Sequence, residues 1–547
     1  MKNRLDLFLR EGIILLICLV SSSSFAQTYD IKDFGAVSDA VTINTKAIQT
    51  AINKCAETGG EVVIPKGVFM SGTLYLKSKV NITIKEGGVL KASPFFRDYP
   101  DNIVHYQNAF THSTDGKSNA NKAFIFAEEV NDISITGKGT IDGSGDSPAF
   151  NLGNDDTPKS RLRPCMLLII NSKHIKLSDI TLTNSAYWMQ NYLGCEYLDL
   201  RGLKIFNHSN YNQDGIDVDA RHVLIENCHI DVDDDGICFK SHDKSRFVED
   251  IVVRNCFISS NCNAIKFGTK SMGGLKNVSI THCTVQQASA DCIRHWQKTL
   301  QFIDQPITVI SGIALESVDG ALIDHITIAD IVMKDVQTPI FIVLGNRGAK
   351  QMGDKRFYDT SIDPGLIGKQ AVGKITNVVI KNIMATGHSK MTSSITAFPG
   401  HYIENVQFSN IIFNDMGTGT LEEGNAGLKE NPGAYPENRM YGQVYPSSGL
   451  YVRHVTGLVL DHVELKVRDV DYRPSIVFDD VLDSKILFLT TAIPGGKTAA
   501  VKLINSKNII IESPVFKTKD SPFLQLLNCD PENVKITGFQ KYKGWVL

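Results

Sequence analysis

Seven aspartates fall between Asn212 and Ser241: Asp214, Asp217, Asp219, Asp231, Asp233, Asp234 and Asp235. Asp214 precedes the alternation Ile216-Asp217-Val218-Asp219. The pair Asp234-Asp235 precedes Ile237-Cys238-Phe239-Lys240, 20 residues further on (234 − 214). Period-2 alternation marks strands with one face in a core and the other carrying polar groups. If the two strands are neighbours in a stack, their leading aspartates lie side by side at the inter-strand spacing, about 5 Å. Carboxylates that close repel, their pKa values separate, and one can keep its proton while another is ionised. A proton donor beside a carboxylate base is the equipment for hydrolysing a glycosidic bond. The same residue types could instead form a row of solvated turns, or a calcium loop.

Such a row needs a scaffold that repeats, and from about Ile133 the chain repeats itself. The unit is polar-φ-x-φ-x-polar-φ-x-φ, with φ apolar. It is read in HIKLSDITL (from His174), YLDLRGLKI (Tyr197), HVLIENCHI (His222), DIVVRNCFI (Asp250) and NVSITHCTV (Asn277). It returns in LIDHITIADIVM (Leu322), NVVIKNIMA (Asn377), YIENVQFSNIIF (Tyr402) and GLVLDHVEL (Gly457). Neighbouring units start 23 residues apart at the shortest (197 − 174). A coil of about two dozen residues with two or three short strands is a β-helix rung. Sandwiches and barrels also contain many short strands, but they do not repeat one phrase in this way.

Ahead of the repeats, Asn44–Cys55 places Ala47, Ile48, Ala51 and Ile52 at helical spacing, with Thr45 as N-cap. A short amphipathic helix suits the end cap that a solenoid's first coil requires. The expected fold class is therefore all-β: a single-stranded right-handed parallel β-helix with an N-terminal capping helix. Residues 345–375 and 415–450, rich in Gly, Pro and Asn, are long insertions expected to wall or roof a groove.

Residues 1–26 have a basic start (Lys2, Arg4, Arg10), a short apolar core from Ile13 to Val20 and a Ser24-Phe25-Ala26 cleavage pattern. That predicts a signal peptide, a single domain over 27–547, and an exported protein in periplasm or outside the cell. The apolar core is too short to span a bilayer, so no membrane insertion is expected. Cys18 is poorly flanked for a lipoprotein. The formal charge of −3 and the lack of a basic run argue against a nucleic-acid partner. Among the eleven cysteines, Cys228, Cys256 and Cys283 recur at one phase of the repeat and read as small core residues. A Cys256–Cys262 bridge stays open, and no zinc-ligand spacing occurs.

The chain resembles glycoside hydrolase family 28, the polygalacturonase family, over most of its mature length. Its opening DFGA…NTKAIQTAI…GGEVVIPKGVF…GTLYLKS is similar to that family's N-terminal module. The motif Asn-x-Asp-Gly-Ile-Asp stands as Asn212-Gln213-Asp214-Gly215-Ile216-Asp217, and Asp-Asp-x-x-x-x-Lys-Ser as Asp234-Asp235-Gly236-Ile237-Cys238-Phe239-Lys240-Ser241. The resemblance implies Asp234 as general acid, Asp214 and Asp235 as the pair that holds and deprotonates water, and inversion at the sugar carbon. It implies no cofactor or metal.

Two further motifs depart. Asn263 stands where the family has a histidine, and Gly312-Ile313-Ala314-Leu315-Glu316-Ser317 replaces an Arg-x-Lys strand associated with the uronate carboxylate. Alternation turns Ala314 and Glu316 toward the groove, where neither could hold an anion. Three readings follow: a neutral sugar at the cut; cations supplied instead by Lys266 or Arg347; or an alternative strand, Cys292-Ile293-Arg294-His295, beside Trp296. The candidate substrate contacts are thus Asn212, Lys240, Asn263, Lys266, Glu316 and Arg347. Tyr441, Tyr451, Arg453 and His454 read either as a distal sugar subsite or as aromatic packing.

The expected function is an inverting hydrolase of an α-linked bond in plant cell-wall pectic polysaccharide or oligosaccharide, exo-acting and monomeric. The alternatives are a glycosidase for a neutral pectic sugar, a calcium-dependent pectate lyase and a non-catalytic carbohydrate-binding β-helix.

Overall fold

A computed structural model describes residues 27–106, 122–150, 163–289, 309–347, 371–387, 389–442, 444–491, 498–516 and 521–538. The leader expected at 1–26 and the Cys292–Trp296 stretch lie outside the described residues. From Thr28 to Thr537 the strands join in parallel pairings, each to the next coil, forming a right-handed parallel β-helix. The N-terminal helix, Thr45–Thr58, buries Ile48, Ala51, Ile52 and Cys55 against the first coil. Its N-cap is Asn44, one residue before the expected Thr45. The Asn44 side chain bonds Val37 instead of the helix. The Thr45 hydroxyl accepts from the Gly72 amide, tying the cap to the stack.

The repeat phrase is explained by its two polar positions. The first falls at His174, Tyr197, His222, Asp250, Asn277, His325, Asn377 and Asn405, all with φ between 54 and 58°. The second falls at Asp179, Gly202, Asn227, Asn255, His282, Asp330, Asn382 and Asn410, with φ between 53 and 61°. These two columns are corners of the coil, and a left-handed residue turns the chain there. Asn and Asp tolerate that conformation because their short polar side chains bond locally. Here they also bond from coil to coil: Asn277 donates to Asp250 at 3.1 Å and Asn377 to Asp324 at 2.8 Å.

Between the corners, alternate apolar residues point inward and form one continuous core from Tyr29 to Leu524. Cys228, Cys256 and Cys283 are buried in it, and the nine described cysteines are free thiols, so no Cys256–Cys262 bridge forms. Among the described residues no helix is long and apolar enough to cross a membrane.

Candidate active site

Five strands of one sheet face build the site: Gln190–Arg201, Ile216–Glu226, Ile237–Ser241, Asn263–Ser271 and Ser311–Ser317. Their register aligns Asn191, Asp217, Cys238, Lys266 and Ala314 in one outward row. Asp214 and Asp235 sit at equivalent places just before their strands, since Ile216 pairs with Ile237. The sequence-derived offset of one coil is therefore the observed geometry.

Asp214, Asp234, Asp235, Asn263 and Lys266 come together in one buried polar patch, with the partly buried Lys240 at its edge. Lys240 Nζ lies 3.0 Å from Asp214 Oδ2 and 2.8 Å from Asp217 Oδ1. Lys266 Nζ lies 3.0 Å from Asp235 Oδ2, and the Asn263 amide donates to Asp235 Oδ1 at 2.8 Å. Asp234 accepts the Asp235 amide at 2.9 Å and is 8% exposed. Asn212 stands at the rim, accepting from Arg163 at 3.1 Å.

These surroundings drive the carboxyl groups apart. Burial, then the negative charges of Asp214 and Asp235, push Asp234 well above the ordinary carboxylate range. Burial pushes Asp235 the same way, but Lys266, Lys240 and the Asn263 amide outweigh it and hold that group below its ordinary value. Burial also raises Asp214, against the pull of Lys240. Asp217 is raised well above its ordinary value by burial and then by Asp214. The surroundings thus favour the proton on Asp234 and the charge on Asp235, the arrangement that general acid–base chemistry requires. Asp234, Asp235 and Cys262 each bring one donor atom within 4.8 Å of the others, so that corner could hold a metal ion. A thiol in the set does not suit calcium, which takes oxygen ligands.

Two of the sequence candidates are placed differently from expectation. Arg347 is not a free cation: its Nε donates to Asp319 Oδ1 at 2.9 Å, and its side chain is 1% exposed. Glu316 is fully buried, close against Gly268, rather than open to a groove. It accepts from Thr269 at 3.3 Å, and burial raises its pKa to about 8. Ala314 does point outward, but the 415–450 insertion covers it with Ala434 and Met440. The Tyr441 group is packing: Arg453 is 2% exposed between the Tyr441 and Tyr451 rings, and His454 is held by Glu430 and Asp480.

Sequence reasoning missed the groups that flank the patch. On the N-terminal side, Val104, Tyr106, Tyr187 and Trp188 cover outward Leu168, Ile170 and Leu193. The Trp188 ring stands 5.0 Å from Lys240 Nζ. On the C-terminal side, the Tyr435 hydroxyl accepts from Thr269 Oγ1 at 3.2 Å, and its ring lies 5.7 Å from Lys266 Nζ. Trp188 carried a usable signal: it precedes Asp214 by 26 residues (214 − 188), about one coil. Tyr435 carried none.

The family profile described as Glycosyl hydrolases family 28 matches residues 55–426. A probable polygalacturonase of Vitis vinifera is 28% identical over 49% of this chain and 57% of its own length. An exo-poly-alpha-D-galacturonosidase of Dickeya chrysanthemi is 35% identical over 23% of this chain and 21% of its own. The chain thus spans less than two thirds of these relatives. The exopolygalacturonase of Thermotoga maritima shares the fold with a TM-score of 0.56 at 20% identity, over 71% of this chain and 87% of that one. The chain belongs to glycosyl hydrolases family 28.

Proposed function

We propose that this family 28 member is an exported, inverting glycoside hydrolase that removes units from the end of galacturonate-containing pectic chains. The observation that carries the reading is the unequal setting of adjacent Asp234 and Asp235, the latter held by Lys266 Nζ at 3.0 Å and by the Asn263 amide at 2.8 Å. In the proposed step the Asp234 carboxyl gives its proton to the leaving glycosidic oxygen. Water attacks the anomeric carbon from the opposite face, and Asp235, with Asp214 holding the water, takes its proton. The products are a free hydroxyl and a hemiacetal of inverted configuration. The enzyme resets when Asp234 regains, and Asp235 loses, a proton to solvent. Lys240, Lys266, Asn263 and Asn212 hold these carboxylates and the bound sugar.

Action at a chain end is supported by the walls. Apolar residues cover the outward face on both sides of the patch, so a polymer running along the sheet would meet Trp188 on one side and Tyr435 with Met440 on the other. The names of the relatives, polygalacturonase and exo-poly-alpha-D-galacturonosidase, support the pectic substrate. A second reading, a neutral sugar at the cut, is favoured by the commitment of Lys266 to Asp235 and of Arg347 to Asp319.

The test is reducing-sugar release from polygalacturonate, rhamnogalacturonan and neutral pectic side chains, with EDTA present, by wild type and Asp234→Asn. Release from polygalacturonate that is lost with Asp234 supports the first reading. Release only where a neutral sugar is cut selects the second. Loss of all release on adding EDTA would favour a calcium-dependent lyase, and binding without release a non-catalytic β-helix.

A further inference from the structure

Cys262 takes no part in the acid–base scheme, yet its sulfur stands beside the carboxyl groups that do. One donor atom each from Asp234, Asp235 and Cys262 lies within 4.8 Å of the others. Asp234 and Cys262 occupy turns of adjacent coils, 28 residues apart (262 − 234). The Ser260 hydroxyl joins those turns, donating to the Asp234 carbonyl at 2.6 Å and accepting from the Cys262 amide at 2.8 Å. The donors therefore sit on backbone that is bonded from coil to coil.

Two acids and a thiol do not by themselves make a site, and Asn263 supplies a separate observation. The residue is 4% exposed, and its Oδ1 has no hydrogen-bond partner among the described residues. Its amide nitrogen lies 2.8 Å from Asp235 Oδ1 and 3.4 Å from Cys262 Sγ, so the carboxamide is aimed into the group. A half-turn of that carboxamide exchanges its oxygen and nitrogen, bringing Oδ1 to where Nδ2 stands. A buried acceptor left without a partner is costly, and a cation would satisfy it. Four donors result: two carboxylate oxygens, one amide oxygen and one thiolate. Lys266 keeps its place on the other oxygen of Asp235, Oδ2.

This donor set selects its cation. Thiolate and four ligands suit tetrahedral Zn²⁺ or the softer Cd²⁺, whereas Ca²⁺ and Mg²⁺ take oxygen ligands alone. Bonds of about 2.0–2.3 Å hold tetrahedral donors about 3.3–3.8 Å apart, so the widest separation here closes by roughly 1 Å. We propose that Asp234, Asp235, Cys262 and Asn263 form an inhibitory site for a thiophilic divalent cation of the Zn²⁺ class. Binding sends the thiol proton and the Asp234 proton to solvent, so the group that would protonate the leaving oxygen is taken by the metal. The inhibition rests on the hydrolase reading above, and the binding does not.

The test titrates the metal-free full chain with Cd²⁺ and with Zn²⁺, following heat and the ultraviolet thiolate-to-metal absorption. Wild type should bind one cation and develop that absorption. Cys262→Ala should lose the absorption and bind at least about tenfold more weakly. Cys262→Ser keeps an acceptor for the Asn263 amide, should behave the same way, and guards against a misfolded Ala variant. Zn²⁺ should stop reducing-sugar release by wild type, EDTA should restore it, and Ca²⁺ at the same concentration should leave it unchanged. Cys262→Ala should need at least about tenfold more Zn²⁺ for the same inhibition. No binding by wild type, equal binding and absorption in all three proteins, or Cys262-dependent binding that leaves release untouched would each overturn the assignment. A wild type that binds Cd²⁺ through Cys262 but acts on no pectic substrate would remove the hydrolase reading and leave the metal site standing.

Discussion

Lys266 Nζ sits 3.0 Å from Asp235 Oδ2, while among the described residues no ion pair joins a cation to Asp234, its neighbour in the chain. Two carboxyl groups one peptide bond apart are thereby given opposite tasks. Burial acts on both and would neutralise both. The ammonium breaks the tie, and Asn263, standing where relatives in the family motif carry histidine, adds an amide donor to the same carboxylate. The polarity of the site thus resides in which aspartate the coil's next strand can reach.

If Asp234 is the acid and Asp235 the base, removing either group should reduce turnover without removing affinity. Asp234→Asn and Asp235→Asn are each expected to lower kcat by roughly 10²–10⁴-fold, the range for general acid–base assistance. Steady-state kinetics with separate oligosaccharide binding measurements would check this. A loss confined to KM would assign these residues to binding instead.

Arg347 offers a contrasting case, because its guanidinium is sealed against Asp319. Arg347→Met should cost stability, about 3–5 kcal/mol for a buried charge left without its partner. The expected outcome is a lower denaturation midpoint with kcat/KM retained in the folded fraction. A variant of unchanged stability with a raised KM would return Arg347 to the substrate.

Glu316 supplies a pH test of stability. Its folded pKa, about 8, lies above the ordinary 4.5 because of burial. Between those values the unfolded chain releases this proton and the folded chain keeps it, so the contribution to stability falls as pH rises from about 4.5 to about 8. Glu316→Gln cannot titrate and still accepts from Thr269. Relative to wild type it should gain on the order of a few kcal/mol between pH 4 and pH 8. Unfolding curves at the two pH values measure that difference. No change in the gap between the proteins would show that Glu316 titrates normally.

The sequence carried the architecture because the coil imposes a local rule at every turn. Corner positions need a left-handed residue, so His222 and Asn227, or Asn377 and Asn382, recur at fixed spacing, and the apolar alternation between them is visible by eye. The juxtaposition of Asp214 with Asp235 was legible for the same reason, since it depends only on register. The outward face was less legible. Alternation states that Ala314 and Glu316 point away from the core, not that a loop more than a hundred residues later covers Ala314 with Ala434 and Met440. Likewise Arg347 finds Asp319 28 residues earlier, and Tyr435 finds Thr269 166 residues earlier, through insertions that follow no repeat. Where the fold is periodic the sequence reads directly, and where it is decorated only the coordinates locate the partners.

The most direct measurement is the pH profile of kcat/KM for wild type and Lys266→Met on the substrate identified by the release assay. Activity requires Asp235 ionised, so it falls as pH drops through a pKa held below 3.8. It also requires Asp234 protonated, so it falls as pH rises through a pKa well above 3.8. Lys266 lowers both, and Asp235 by direct contact. The variant's acid limb should therefore move to higher pH, the alkaline limb should move the same way, and the optimum should rise with them. An acid limb that stays in place or moves down in a folded Lys266→Met protein would contradict the assignment of Asp235 as the base polarised by Lys266.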